Sequence, residues 1–281
     1  MKIVINIVLV LFILSSISCK NAKKEEIQEF VVEDSVEQKP VFSKNVTDYR
    51  LRKYDNVTQF YNRIAKSTTV ISMENNVPPA AILAIAGLES GWNQGYVGRI
   101  TGNILSLGTR PGDAELPALR LPRRKSDNQI LFDSLEIIKY ESDELIWENR
   151  PASLKKDYRP APYSGKAYNL AYFKYNPEEK AQANIANLTD FVTIFISRTS
   201  RIPVYREARK KMDELVAANG KDVLLKEETA IQFINAIGGK PNSFNFRETW
   251  PIKVTSIVQS AGLAELTAEL YKDDVQFQDV W

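Results

Sequence analysis

The chain of 281 residues contains no histidine. That absence removes Ser-His and Cys-His nucleophilic sites, zinc sites built on paired histidines, and haem held by a proximal imidazole. Cysteine is nearly missing as well: Cys19 stands alone, which excludes disulfide frameworks and cysteine-cluster metal sites. Charge of one sign is lacking too, because 37 basic residues face 35 acidic ones and leave a net charge of +2. A balance of that kind lacks the basic excess of a nucleic-acid-binding domain, so no nucleic-acid partner is expected. Carboxylates, hydroxyls, amides and aromatics remain to carry any chemistry, and no metal or organic cofactor is implied. With 44% apolar residues the chain can bury a full core.

The apolar run at the N-terminus stands apart. Met1-Lys2 makes a positive start, and Ile3 to Ile17 is apolar except for Asn6, Ser15 and Ser16. The run is too short for a comfortable membrane span and suits the core of a signal peptide. Ser16-Ile17-Ser18-Cys19 resembles the lipobox of bacterial lipoproteins, with Ser16 where leucine is usual. The resemblance implies that residues 1–19 are a lipoprotein signal segment and that Cys19 is lipidated, anchoring the protein to a membrane of the cell envelope. The alternative is a buried structural cysteine. Residues 20–49 are charged and poor in large apolar side chains, as expected of a flexible tether.

Residues 50–281 show no Gly/Ser-rich break and no internal repeat, so a single folded domain is expected. Helical spacing predicts helices over Val57–Glu74 and Pro79–Ser90, the second with proline in its first turn and Gly91 as its stop. From Trp92 to Leu131, Gly, Pro and polar residues predict loops and a small β-hairpin. Helical spacing is read again over Asp133–Trp147 and at about 181–198, 203–218, 226–237 and 249–260. Between them, Pro151–Pro177 is rich in tyrosine and proline and predicts an irregular loop. The fold class expected is mainly α with a small β-hairpin lobe. The basic clusters at Arg120, Arg123, Arg124 and Lys125, and at Arg206, Arg209, Lys210 and Lys211, read as solvated faces or as an electrostatic attraction for an anionic polymer.

Glu89 lies three, four and seven positions after Ala86, Ile85 and Ile82, so a carboxylate continues an apolar stripe. Burial disfavours the charged form and raises the pKa, as a general acid near neutral pH requires. The competing readings are a solvent-exposed helix end and a buried structural carboxylate.

The run Val77-Pro78-Pro79-Ala80-Ala81-Ile82-Leu83-Ala84-Ile85-Ala86-Gly87-Leu88-Glu89-Ser90-Gly91-Trp92 closely resembles the bacterial glucosaminidase family of peptidoglycan hydrolases. Their lysozyme-like domain carries an alanine-rich helix ending in Leu-Glu-Ser-Gly-Trp. Gly102-Asn103-Ile104-Leu105-Ser106-Leu107-Gly108 loosely matches a second family element, and Phe246 to Val254 stands where the family has a tyrosine-bearing motif. The resemblance implies an endo-β-N-acetylglucosaminidase that cuts peptidoglycan glycan strands, with Glu89 as general acid. It implies Glu115, on the hairpin after the catalytic helix, as second carboxylate, with Asp113 and Asp127 nearby. Trp92, Asn103 and Trp250 would shape the sugar subsites. Phe246 and Trp250 offer no phenol, and Tyr163 or Tyr168 could supply one. The alternatives are a lytic transglycosylase and a non-catalytic wall-binding or assembly lipoprotein.

Overall fold

Nothing between Ala80 and Leu88 can give a helix a wet face, so this segment is stable as a helix only if neighbours surround it. The computed structural model describes residues 49–150, 155–272 and 274–281, all within one compact unit; Cys19, the signal segment and nearly all of the tether lie outside the described residues. In it, α2 (Pro79–Ser90) is the central helix, with every residue from Pro79 to Gly87 buried. Pro79 occupies its first turn. Gly91 ends it in the left-handed conformation at φ 56°, where a side chain would be strained.

Around α2 pack α1 (Asp55–Glu74), α8 (Glu227–Ile237), α9 (Thr249–Ala261) and α10 (Leu263–Leu270). Helix α1 offers Val57, Phe60, Tyr61 and Ile64 at helical spacing. It comes close because residue 87 is glycine: a Cβ there would meet the Tyr61 hydroxyl at 2.8 Å. Ile82, Leu83 and Ile85 are fully buried, each contributing roughly 1.5–3 kcal/mol of transfer free energy. The remaining helices are α3 (Tyr96–Thr101), α4 (Ser134–Ile137), α5 (Tyr172–Tyr175), α6 (Pro177–Asp190), α7 (Pro203–Asn219) and α11 (Phe277–Val280). One wide π-turn, Phe191–Phe195, extends α6. Arg209 of α7 reaches inward to that turn. Its guanidinium donates to the carbonyls of Val192 at 2.8 Å and Ile196 at 3.2 Å, and to that of Asn75 at the end of α1. Burial lowers its pKa to about 10. The 206–211 cluster is therefore not uniformly a solvated face.

Strands β1 (Leu119–Arg124) and β2 (Leu145–Arg150) form one antiparallel pair, in register from Leu119 opposite Arg150 to Arg124 opposite Leu145. A two-stranded ribbon is marginal alone. This one rests on a second apolar cluster in which Leu119 and Leu121 join Ile100, Leu116, Phe132 and Leu170. The protein is thus mainly helical with a small sheet, but two local expectations hold only in part. The hairpin within 112–131 closes over one antiparallel bridge only, Arg123 opposite Ile130, with the Arg124 N–H on the Gln129 carbonyl and the Leu131 N–H on the Pro122 carbonyl, both at 2.9 Å, while the full partner of β1 comes from 145–150. The helix read over Asp133–Trp147 breaks into the single turn of α4, capped by Asp133, whose side chain accepts the Leu135 N–H, and a short 3-10 turn, Ser142–Glu144, before β2 begins at Leu145. Leu135 and Ile138 had the spacing of a helix but no core to face, and they are exposed.

The segment after β2 is irregular, as its prolines and tyrosines predict, yet it is tied down. Asp157 and Arg159 form an ion pair at 2.7 Å with both side chains fully buried. Asp157 also accepts the Gly165 N–H at 2.7 Å, and Arg159 donates to the carbonyls of Asn169 at 2.7 Å and Lys166 at 3.2 Å. Removing one member strands the other without compensation. Arg159→Met is expected to cost about 3–5 kcal/mol of unfolding free energy, measured by urea denaturation. A loss under about 1 kcal/mol would mean that the pair does not hold the segment.

Candidate active site

Glu89 is the penultimate residue of α2 and is half-buried. Its Oε1 accepts a hydrogen bond from Trp250 Nε1 at 2.9 Å. Burial pushes its pKa up; the Trp250 bond and the charges of Lys155 and Arg247 act in the opposite direction and only partly offset it. The C-terminal end of a helix carries partial negative charge, which also disfavours a carboxylate there.

Trp250 cannot turn away from this bond. Its ring lies against Gly238, where a Cβ would come within 2.2 Å of the indole, and Phe244 tilts against it with ring centroids 5.4 Å apart. The Trp250 side of the cleft is set by α9, whose first turn it occupies, and by the loop before it. In that loop Asn245 Oδ1 accepts the Arg247 N–H at 3.1 Å, and its carbonyl accepts the Gly239 N–H at 2.8 Å.

Beside Glu89 opens a cleft of about 220 Å³, lined by Leu88 and Glu89 from α2 and by Asn245, Arg247, Thr249, Trp250 and Lys253. That is smaller than the roughly 300–1,000 Å³ of typical ligand pockets, so a polymer chain bound here would lie largely on the open surface. The surroundings of the carboxyl are cationic. Arg247 and Lys253 are on the lining, and the charge of Lys155 acts on Glu89 from the 155–157 segment. Lys155 donates to the Ser106 carbonyl at 2.6 Å, and burial lowers its pKa against the opposing pull of Glu89.

Of the other residues singled out from the sequence, Trp250 lines this cleft and the rest are not gathered there. Asn103 is buried and its amide is saturated. Nδ2 donates to the carbonyls of Leu107 at 2.8 Å and Lys156 at 3.1 Å, while Oδ1 accepts from the Leu107 N–H at 2.9 Å and Asn187 Nδ2 at 3.1 Å. Two donors and two lone pairs are all in use, so Asn103 shapes the 103–107 loop rather than offering a hand to a sugar. Trp92 packs over Gly87 against the core, and its Nε1 donates to the Tyr61 hydroxyl at 3.3 Å. Trp250 is only 3% exposed, which leaves its faces no room to stack on a ring and makes it the fixed donor to Glu89.

Glu115 is exposed and pairs across an isolated antiparallel bridge with Lys156. Side chains alternate along a strand, so Glu115 shares a face with Lys156, whereas Lys155 is on the opposite one. Glu115 does not line the Glu89 cleft, nor do Asp113, held by Lys156 and Arg110, or Asp127, held by Arg124. Phe246 is exposed, Tyr163 stacks on Tyr172, and Tyr168 is 79% exposed.

Sequence reasoning missed Lys155 and Lys253, whose positions carry no local signal. It also missed Asn187 of α6, which accepts the N–H groups of Ile104 and Leu105 at 2.8 and 2.9 Å and so holds the loop under Lys155. An asparagine on the buried face of α6, three positions after Asn184, was the available hint.

A carboxyl whose folded pKa exceeds the unfolded one contributes fully to stability below the unfolded value, and that contribution is lost as pH climbs through the folded value. Glu89→Gln removes this loss while keeping an acceptor for Trp250. Its unfolding free energy is expected to exceed that of the wild type at neutral pH and to converge with it well below the ordinary glutamate range. Denaturation curves across pH check this; equal stability throughout would mean that Glu89 titrates as a solvated residue. Comparison of the chain with family profiles, with curated proteins and with solved structures returns no match.

Proposed function

We propose that the protein is an envelope lipoprotein that cleaves the glycan strand of peptidoglycan, as an endo-β-N-acetylglucosaminidase of lysozyme-like type, with Glu89 as general acid. The observation that carries this reading is a half-buried carboxyl at the end of a buried helix, held toward protonation by burial and opening on a cleft. Together with the Leu88-Glu89-Ser90-Gly91-Trp92 sequence, that environment matches what protonating a glycosidic oxygen requires. The mainly helical architecture with a small sheet is compatible with it.

The hydrogen bond from Trp250 occupies Oε1, so the acidic proton belongs on Oε2. When that proton moves to the leaving oxygen, Glu89 becomes an anion. Lys155 and Arg247, already in place, favour that charge, which is the preorganised stabilisation a proton transfer gains from. No second carboxylate lines the cleft among the described residues. The oxocarbenium-like charge is then met most directly by the substrate's own N-acetyl group. The same observation favours a second reading, a lytic transglycosylase, which also works with one acid.

On purified sacculi, Glu89→Gln is expected to lose about 10²–10⁴-fold in muropeptide release, and Glu115→Gln to stay within about tenfold of wild type. Near-zero release by wild type and Glu89→Gln alike would instead support a wall-binding role. Mass spectrometry of the products separates the two chemistries: reducing N-acetylglucosamine ends support hydrolysis and 1,6-anhydromuramic acid ends the transglycosylase. Lys155→Met removes a charge that holds the Glu89 pKa down. The alkaline limb of the pH–rate profile is therefore expected to move to higher pH, and an unmoved limb would separate Lys155 from the proton transfer.

A further inference from the structure

A second cavity, of about 290 Å³, shares no lining residue with the Glu89 cleft. Arg63 of α1, Arg99 of α3 and Lys180 of α6 converge on it, with Phe132 and Phe173 as its apolar wall and Lys174 at the rim. Three cations delivered by three separate helices repel one another, and among the described residues none of the three has a carboxylate in ion-pair contact. Lys174 differs: its charge is matched by Asp133 at 2.6 Å and Glu136 at 3.4 Å. Glu179, the residue before Lys180, is engaged by the Tyr172 hydroxyl.

The donors are also positioned and unspent. Arg63 is anchored through Nε, which donates to Asn184 Oδ1 at 3.0 Å, leaving its terminal nitrogens available. Arg99 lies over the Phe132 ring at 4.8 Å, a cation–π contact that holds the guanidinium there without using its N–H groups. Lys180 has its pKa lowered to about 8, first by burial and then by the charges of Arg63 and Arg99. A cluster of this kind is stable only at a cost, and an oxyanion in the cavity offsets it.

We propose that this cavity binds a phosphoryl oxyanion, through the guanidinium groups of Arg63 and Arg99 and the ammonium of Lys180. Two planar forks and a point charge arriving from three directions match the several oxygens of a tetrahedral phosphoryl group better than the two of a planar carboxylate. Phe132 and Phe173 give the cavity an apolar side, against which the carbon part of a phosphate ester could pack. The proposal stands whether or not Glu89 cleaves a glycan, because the two sites use different residues.

The test is calorimetric titration of the full-length protein with inorganic phosphate, glycerol 3-phosphate and acetate at one ionic strength. One saturable site per chain is expected for phosphate, at least about tenfold tighter than for acetate. Arg99→Gln and Lys180→Gln are each expected to weaken it by about tenfold or more. Tighter binding of glycerol 3-phosphate would mark the group as part of a larger ester, and preference for phosphate would mark the free ion. A measurement on the wild type needs no variant to fold. Acylation of Lys180 by an amine-reactive reagent near its own pKa, followed by peptide mass spectrometry, is expected to be slowed saturably by phosphate while exposed lysines react unchanged. Absent saturation, equal binding of acetate, or unprotected Lys180 would each overturn the proposal.

Discussion

Helix α2 buries its whole circumference, so its last turn is the only place where it can present a polar side chain, and there the chain puts Glu89. Burial and the negative end of the helix both work against the carboxylate. The Trp250 N–H and the charges of Lys155 and Arg247 return part of that stabilisation. The opposition matters more than either side alone: a carboxyl left entirely to burial would be pushed further toward its neutral form. The helices that surround α2 therefore do two jobs, because α9 both covers it and carries the indole that touches its glutamate.

Polar groups inside the domain follow the same logic of complete pairing. Asn103 and Asn187 use their amides on each other and on the backbone of one loop. Arg209 satisfies carbonyls at the ends of two helices, and Asp157 with Arg159 ties an otherwise irregular segment. In each case a group that would be expensive to bury alone is used to fix backbone that has no regular structure of its own. The loop beneath Lys155 is one such stretch, so the electrostatics at Glu89 depend on asparagines that do not line its cleft.

The near-neutral total charge conceals how charge is distributed. Lys155, Arg247 and Lys253 surround or line the Glu89 cleft, and Arg63, Arg99 and Lys180 gather at a separate cavity. These cations are scattered along the sequence, from residue 63 to residue 253, and neither group forms a run. The runs that do stand out behave differently: Arg123 and Arg124 are matched by Glu148 and Asp127, and Arg209 turns inward.

Local patterns in the sequence were sufficient for α1, α2, α7, α8 and α9, because each combines helical spacing with a proline, glycine or change of polarity at an end. The same holds for Glu89, whose unusual position at the close of an apolar run is visible without coordinates. Patterns failed where an element's partner is far away. The first half of strand β2 was hidden at the end of what read as a helix, because the apolar spacing of Leu135 and Ile138 says nothing about whether a core exists for them to face. Asn103, Trp92 and Trp250 were recognisable as special, yet packing alone decided that the first saturates a loop, the second plugs the core and the third grips the acid. Residue type and spacing are properties of the chain, and they determined the buried helix and its terminal carboxyl. Hydrogen-bond saturation, exposure and the convergence of distant cations are properties of three-dimensional proximity, and only the tertiary structure could decide them.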